Sequence, residues 1–234
     1  MKRSLIMSLA ATCLSSAAFA GQVQYGGIQY GNAGGGEFKF TVTDATGLGG
    51  ILPNSIITTF CVERNEYVYG VGDVYNATLN TAAVNGGVGG GNPDPISPQT
   101  AFLMSAFSGN ALVGYDYTLN SAGRNDSASA LQAAIWLLEN EISQLSDVVG
   151  GSVLTLAQSF ITAANASGWT TIGNVGVLNL TNANGTPLQD QLVIVPAGTP
   201  GVVVPLPAGA IAGLALFGVL AVRQSLVRRR HVAE

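Results

Sequence analysis

The sequence predicts an α+β fold, an antiparallel sheet or barrel with an inserted helical part, flanked by an N-terminal signal peptide and a C-terminal transmembrane helix. Strand-like patterns fill the chain as far as Leu79, helical spacing takes over between Ser97 and Ala164, and strand patterns return at Val175. Uncharged apolar stretches with basic flanks stand at both ends.

Glu37-Phe38-Lys39-Phe40-Thr41-Val42-Thr43 alternates strictly and places Phe38, Phe40 and Val42 on one face of a half-buried strand. Residues 22–30 have a similar character, interrupted by glycine. Residues 55–62 are β-branched and apolar, a buried strand, and 74–79 form another with Tyr75, Ala77 and Leu79 together. Residues 85–98 are crowded with Gly and Pro and read as a surface loop that no packed element could use. Ser97 caps a helix with Pro98 at its first position, running to Phe107–Gly109. Asp126 or Ser127 caps the next, in which Leu131, Ile135, Leu138 and Ile142 recur at helical spacing. A third helix covers 152–164, and 175–180 and 191–195 return to strand.

Only 9% of residues are charged, against about 25% in typical globular chains. Residues 21–203 hold 12 acids and 3 bases, Lys39, Arg64 and Arg124, so the body is acidic and the remaining bases sit at the ends. Nucleic acid is excluded as a partner, because its phosphates need basic side chains to replace their counterions.

Met1-Lys2-Arg3, an apolar stretch and Ala18-Phe19-Ala20 have the plan of a secretory signal peptide over 1–20, cut by signal peptidase before Gly21. A lipoprotein signal using Cys13 is the alternative, which Ala10-Ala11-Thr12 fits poorly. Residues 202–222 carry no charge, and Arg223, Arg228, Arg229 and Arg230 follow as a cytoplasmic anchor. A buried core helix is the alternative reading of that segment. The body is then 21–195, with 196–203 a linker. Val204-Pro205-Leu206-Pro207-Ala208, the apolar segment and the Arg cluster resemble the VPLPA variant of the PEP-CTERM sorting signal, over residues 204–234. The resemblance implies a Gram-negative surface protein, anchored in the inner membrane before an exosortase processes it, and destined for the cell surface or a biofilm matrix.

The body keeps a single cysteine, Cys61. A free thiol outside the cytoplasm oxidises, so a lone Cys is an inert buried residue, a disulfide link to a second chain, or a sulfur committed to something else. Phe60-Cys61-Val62-Glu63 ends a predicted strand, and Leu131-Gln132-Ala133-Ala134-Ile135-Trp136 opens a predicted helix. Together they resemble the bacterial thioester domain, in which a Cys in an aromatic-Cys-aliphatic-acid setting bonds to the Gln of a Gln-x-Ala-Ile-Trp motif that begins a helix. That resemblance implies an internal thioester between Cys61 and Gln132, formed with loss of ammonia and opened by an amine-bearing surface or matrix ligand. Such an electrophile needs shielding from water, for which Phe60 and Trp136 are the candidates.

Other chemistry is weakly represented. The sole histidine is His231 in the tail, so a Cys-His or Ser-His hydrolase lacks its usual base. No metal-ligand spacing and no nucleotide fingerprint appears, and neither metal nor cofactor is expected. Glu63 with Glu66, and Glu139 with Glu141, could pair as in a glycosidase. The leading expectation is a non-enzymatic, covalently attaching surface protein. A non-covalent matrix protein without a thioester is the alternative, and a secreted glycan hydrolase a further one.

Overall fold

The computed structural model describes residues 20–31 and 34–196. The expected signal peptide, the sorting motif at 204–208, the apolar segment and the Arg cluster lie outside the described residues. Among the described residues, no helix is long and apolar enough to cross a membrane.

Eight strands and three helices follow in the order β1 (Gly21–Tyr30), β2 (Glu37–Asp44), β3 (Ile56–Thr59), β4 (Val74–Asn80), β5 (Ala82–Ala83), β6 (Asp94–Pro95), α1 (Pro98–Ser108), α2 (Ala122–Leu138), α3 (Gly151–Ala166), β7 (Val175–Thr181) and β8 (Gln191–Ile194). Six strands make one antiparallel sheet in the order β3-β2-β1-β4-β7-β8, and β5 pairs with β6 apart from it. The class is therefore α+β, with the helices inserted between β6 and β7.

Alternation decides which face of the sheet is covered. Val23 and Tyr25 on β1, Phe38, Phe40 and Val42 on β2, and Tyr75, Ala77 and Leu79 on β4 are all buried. α2 contributes Ser127 to Trp136 as an unbroken buried run, and its alanines let neighbouring elements come close. α3 offers a narrower stripe, Ala157, Phe160, Ile161 and Ala164, at helical spacing.

The sheet curls until its two edge strands meet at one end. The Thr59 hydroxyl donates to the Leu192 carbonyl, Leu192 N–H donates to the Phe60 carbonyl at 3.0 Å, and Val62 N–H donates to the Asp190 carbonyl at 3.0 Å. Between the last two bonds lies an isolated bridge, Cys61 opposite Gln191. Away from this closure the edges part around a cleft of about 440 Å³ lined by Ile51, Ile57, Met104, Val193 and Ile194.

Four expectations need correction. The strand expected over 55–62 is only Ile56–Thr59, and Ile56 is exposed because the pleat turns it to the face opposite the buried Ile57 and Thr59. The loop over 85–98 is not wholly free: Asp94–Pro95 pairs with Ala82–Ala83, and Ile96 is buried. α2 begins earlier than expected, because Ser121 is its cap; the Ser121 Oγ accepts Arg124 N–H at 2.9 Å. It also ends before Ile142, since Asn140 takes a left-handed φ of 64° beyond Leu138. Ser97 and Pro98 start α1 as expected, the Ser97 Oγ accepting Thr100 N–H at 3.1 Å.

One buried ion pair ties α2 to the sheet. Arg124 Nε and Nη2 each donate to the Glu37 carboxylate at 2.8 Å, the Tyr115 hydroxyl also donates to it, and the guanidinium lies 4.4 Å from the Tyr30 ring centroid. Glu37 is 1% exposed. Arg124→Ala would leave that carboxylate buried without its counter-charge, and a loss of about 3–5 kcal/mol in urea unfolding is expected.

Candidate functional site

β3 ends at Thr59, yet Phe60, Cys61 and Val62 stay extended enough to pair with β8. Because Phe60 and Val62 make the bonds to β8, the N–H and C=O of Cys61 point the other way, toward the side on which β2 pairs with β3. The β2–β3 register, with Phe38 opposite Thr59, would bring Gly36 opposite Cys61. The chain has already left the ladder there, since β2 begins at Glu37. The Gln132 side chain takes the vacant place.

Its amide is clamped at both ends by one residue. Cys61 N–H donates to Gln132 Oε1 at 3.2 Å, and Gln132 Nε2 donates to the Cys61 carbonyl at 2.9 Å. Cys61 Sγ sits 3.2 Å from the same Oε1. Cys61 is 0% and Gln132 1% exposed. The arrangement sets the thiol beside an amide carbonyl, its S–H donating to Oε1, gives that oxygen a backbone donor that would strengthen as charge builds on it, and holds the amide nitrogen in place.

Gln132 lies well inside α2 rather than at its start, a correction to the expected motif setting. Trp136, one turn later, is on the same side: a Cβ at Gly35 would meet Gln132 Cγ at 2.7 Å and Trp136 Cη2 at 2.9 Å. The close approach of Gly35 to both side chains was missed from sequence. The signal available was the run Gly34-Gly35-Gly36 immediately before a strand. Phe60 is buried but faces elsewhere, its ring edge-on to Phe107 at 5.0 Å. Trp136 bears on the sulfur directly. Its Nε1 has no full hydrogen bond, and its N–H favours the charged form of the thiol.

Burial nevertheless raises the Cys61 thiol well above its ordinary range, and the negative charge of Glu63 adds to this, outweighing Trp136 and the backbone N–H. At neutral pH the sulfur is a thiol. Acidic groups surround this closure. Glu63 Oε2 accepts Asp190 N–H at 2.9 Å, while Glu63 Oε1 has no partner. Asp190 accepts Val84 N–H at 2.6 Å and Leu180 N–H at 3.3 Å. Burial, with mutual repulsion, pushes the Glu63 carboxyl far upward; burial raises Asp190 too.

Of the carboxylates considered as hydrolytic pairs, Glu63, Glu139 and Glu141 are buried and engaged with backbone, while Glu66 is half-buried and accepts Asn85 Nδ2 at 3.1 Å. Glu141 accepts Arg64 N–H at 2.8 Å and Val88 N–H at 3.0 Å, pinning the glycine-rich loop. Glu139 accepts Ser97 N–H at 3.1 Å and its hydroxyl at 2.6 Å, joining the end of α2 to the start of α1. Among the described residues, no group of acids, His and Cys has the makings of a metal site.

Two outcomes follow. Gly35→Ala drives a methyl into Gln132 and Trp136, and a loss of about 1–3 kcal/mol in urea unfolding is expected. The folded state holds the Glu63 proton to higher pH than the unfolded chain does, so stability falls as pH rises from the ordinary carboxylate range toward the raised one. Glu63→Gln should remove up to about 1.4 kcal/mol per pH unit from that slope, read as urea midpoints across pH 5–9. Comparison with protein-family models, with curated proteins and with solved structures finds no match to this chain.

Proposed function

We propose that this protein is an exported surface-attachment module whose Cys61 and Gln132 form an internal thioester that a ligand amine opens. The observation that carries the reading is the clamp: the Cys61 sulfur lies 3.2 Å from the Gln132 carbonyl oxygen while the backbone of Cys61 holds both ends of the amide. An unstrained amide is a poor electrophile. Fixing a nucleophile against it replaces a bimolecular encounter and supplies about 7–11 kcal/mol when alignment is good. The product is an acyl group stored under Trp136 and Gly35, away from water.

The covalent link would also occupy the only thiol of the body, which suits an oxidising compartment. A lysine-type amine attacking the Gln132 carbonyl would release the Cys61 thiol and leave an amide to the partner. Export rests on the two ends of the sequence: a signal peptide ahead of Gly21, then the membrane segment and PEP-CTERM-like tail that an exosortase would process. The final position would be the cell surface or surrounding matrix.

Intact-mass measurement of the mature protein tests the reading. A deficit of one ammonia is expected, absent in Cys61→Ala. Methylamine should add at Gln132 and expose an alkylatable Cys61. Full mass together with an unmodified Gln132 after methylamine would leave a non-covalent matrix protein as the better description.

A further inference from the structure

Thioester formation moves a proton as well as an acyl group. The Cys61 S–H bond must break, a bond from sulfur to the Gln132 carbonyl carbon must form, and the nitrogen must leave as ammonia carrying one added proton. The thiol is held protonated by its burial, so something beside it must take that proton. Among the described residues there is no histidine, since the sole one is His231.

Trp136, Tyr25, Glu141 and Glu63 are described residues that bear on the sulfur. Trp136 offers an N–H and cannot accept a proton. Tyr25 is a phenol whose own proton is held more tightly than usual by burial. Glu141 has its oxygens committed to the N–H groups of Arg64 and Val88. Glu63 differs. It stands two residues beyond Cys61 on the same closing segment, is 1% exposed, and keeps Oε1 without a partner while Oε2 is fixed by Asp190 N–H. A buried carboxyl oxygen left unpaired is costly and calls for a reason, of which proton transfer is one.

Given the thioester reading, on which this rests, we propose that Glu63, paired with Asp190, carries the proton from the Cys61 sulfur to the departing Gln132 nitrogen. The pair holds one proton at the start. As the sulfur attacks, its proton passes to the pair and the proton already held passes to Nε2. The carbon–nitrogen bond breaks, ammonia leaves, and the pair again holds one proton. Besides Asp190, Glu66 bears on Glu63, and Glu141 and Tyr25 bear on the sulfur. All are acids, so the surroundings favour a retained proton.

The test uses full chain recovered unfolded in urea, refolded into mild detergent at pH values from 5 to 10, with ammonia loss followed by intact mass. Wild type is expected to form the bond at a rate nearly level with pH until the shared proton is lost, and to slow beyond. Glu63→Gln, folded by circular dichroism, is expected to form it about 100-fold or more slowly, with a rate that rises tenfold per pH unit as bare thiolate takes over. Glu63→Asp should recover part of the rate. A folded Glu63→Gln protein that forms the bond as fast as wild type, with the same profile, overturns the proton role and leaves the thioester standing. Should Glu63→Gln not fold, the wild-type profile decides: a level rate supports the role, and a tenfold rise per pH unit overturns it. Folded wild type that never loses ammonia overturns the thioester reading itself.

Discussion

The site depends on a gap in a ladder. Cys61 faces Gln191 as a pair whose neighbours, Phe60 and Val62, make the bonds to β8. Its own N–H and C=O are turned away, and the strand that would have met them has not yet begun. Leaving two backbone groups buried and unpaired would cost several kcal/mol in all. The Gln132 amide, one donor and one acceptor on a planar group, is shaped like the missing peptide and pairs with both. Folding therefore delivers the amide to the sulfur without separate machinery, because the same bonds that satisfy the backbone fix the distance.

The acids complete this picture. A body with 12 acids and 3 bases cannot neutralise its buried carboxylates with cations, apart from Glu37 with Arg124. Backbone N–H groups do the work instead, at Glu63, Glu139, Glu141 and Asp190. Each gathers segments distant in sequence, and loops rich in glycine can bring their N–H groups close enough to be gathered. Fixed dipoles are weaker counterparts than a guanidinium, which is why Glu63, Asp190 and Glu139 hold their protons upward.

Much of this was legible in the sequence because it was periodic. Phe38, Phe40 and Val42 named the buried face of β2, Tyr75, Ala77 and Leu79 that of β4, and Ser97 with Pro98 named the start of α1. The expected proximity of Cys61 and Gln132 is present in the fold, although Gln132 sits mid-helix. What escaped was set by tertiary contact. Ser121 won the cap over Asp126 and Ser127 because local propensity for a cap is shared by all three, and only the docking of α2 chooses among them. The edge character of β3 is a matter of sheet order, which apolar content does not encode. Gly35 escaped because its reason is the space taken by Gln132 and Trp136, which arrive from far along the chain.

A Gln that merely filled the ladder gap would need nothing particular at position 61, since its partners there are backbone groups common to every residue but proline. The side chain that stands beside the filled gap is a thiol, and it is the sequence's only cysteine after residue 13. The Glu63 carboxyl two residues away, besides holding Asp190 N–H, keeps its other oxygen dry and unpaired. On the proposed reading, the buried Gln132 amide, Cys61 thiol and Glu63 carboxyl would form a sequence in which every proton has a donor and a destination. The polarity concentrated at this closure is intelligible as chemistry.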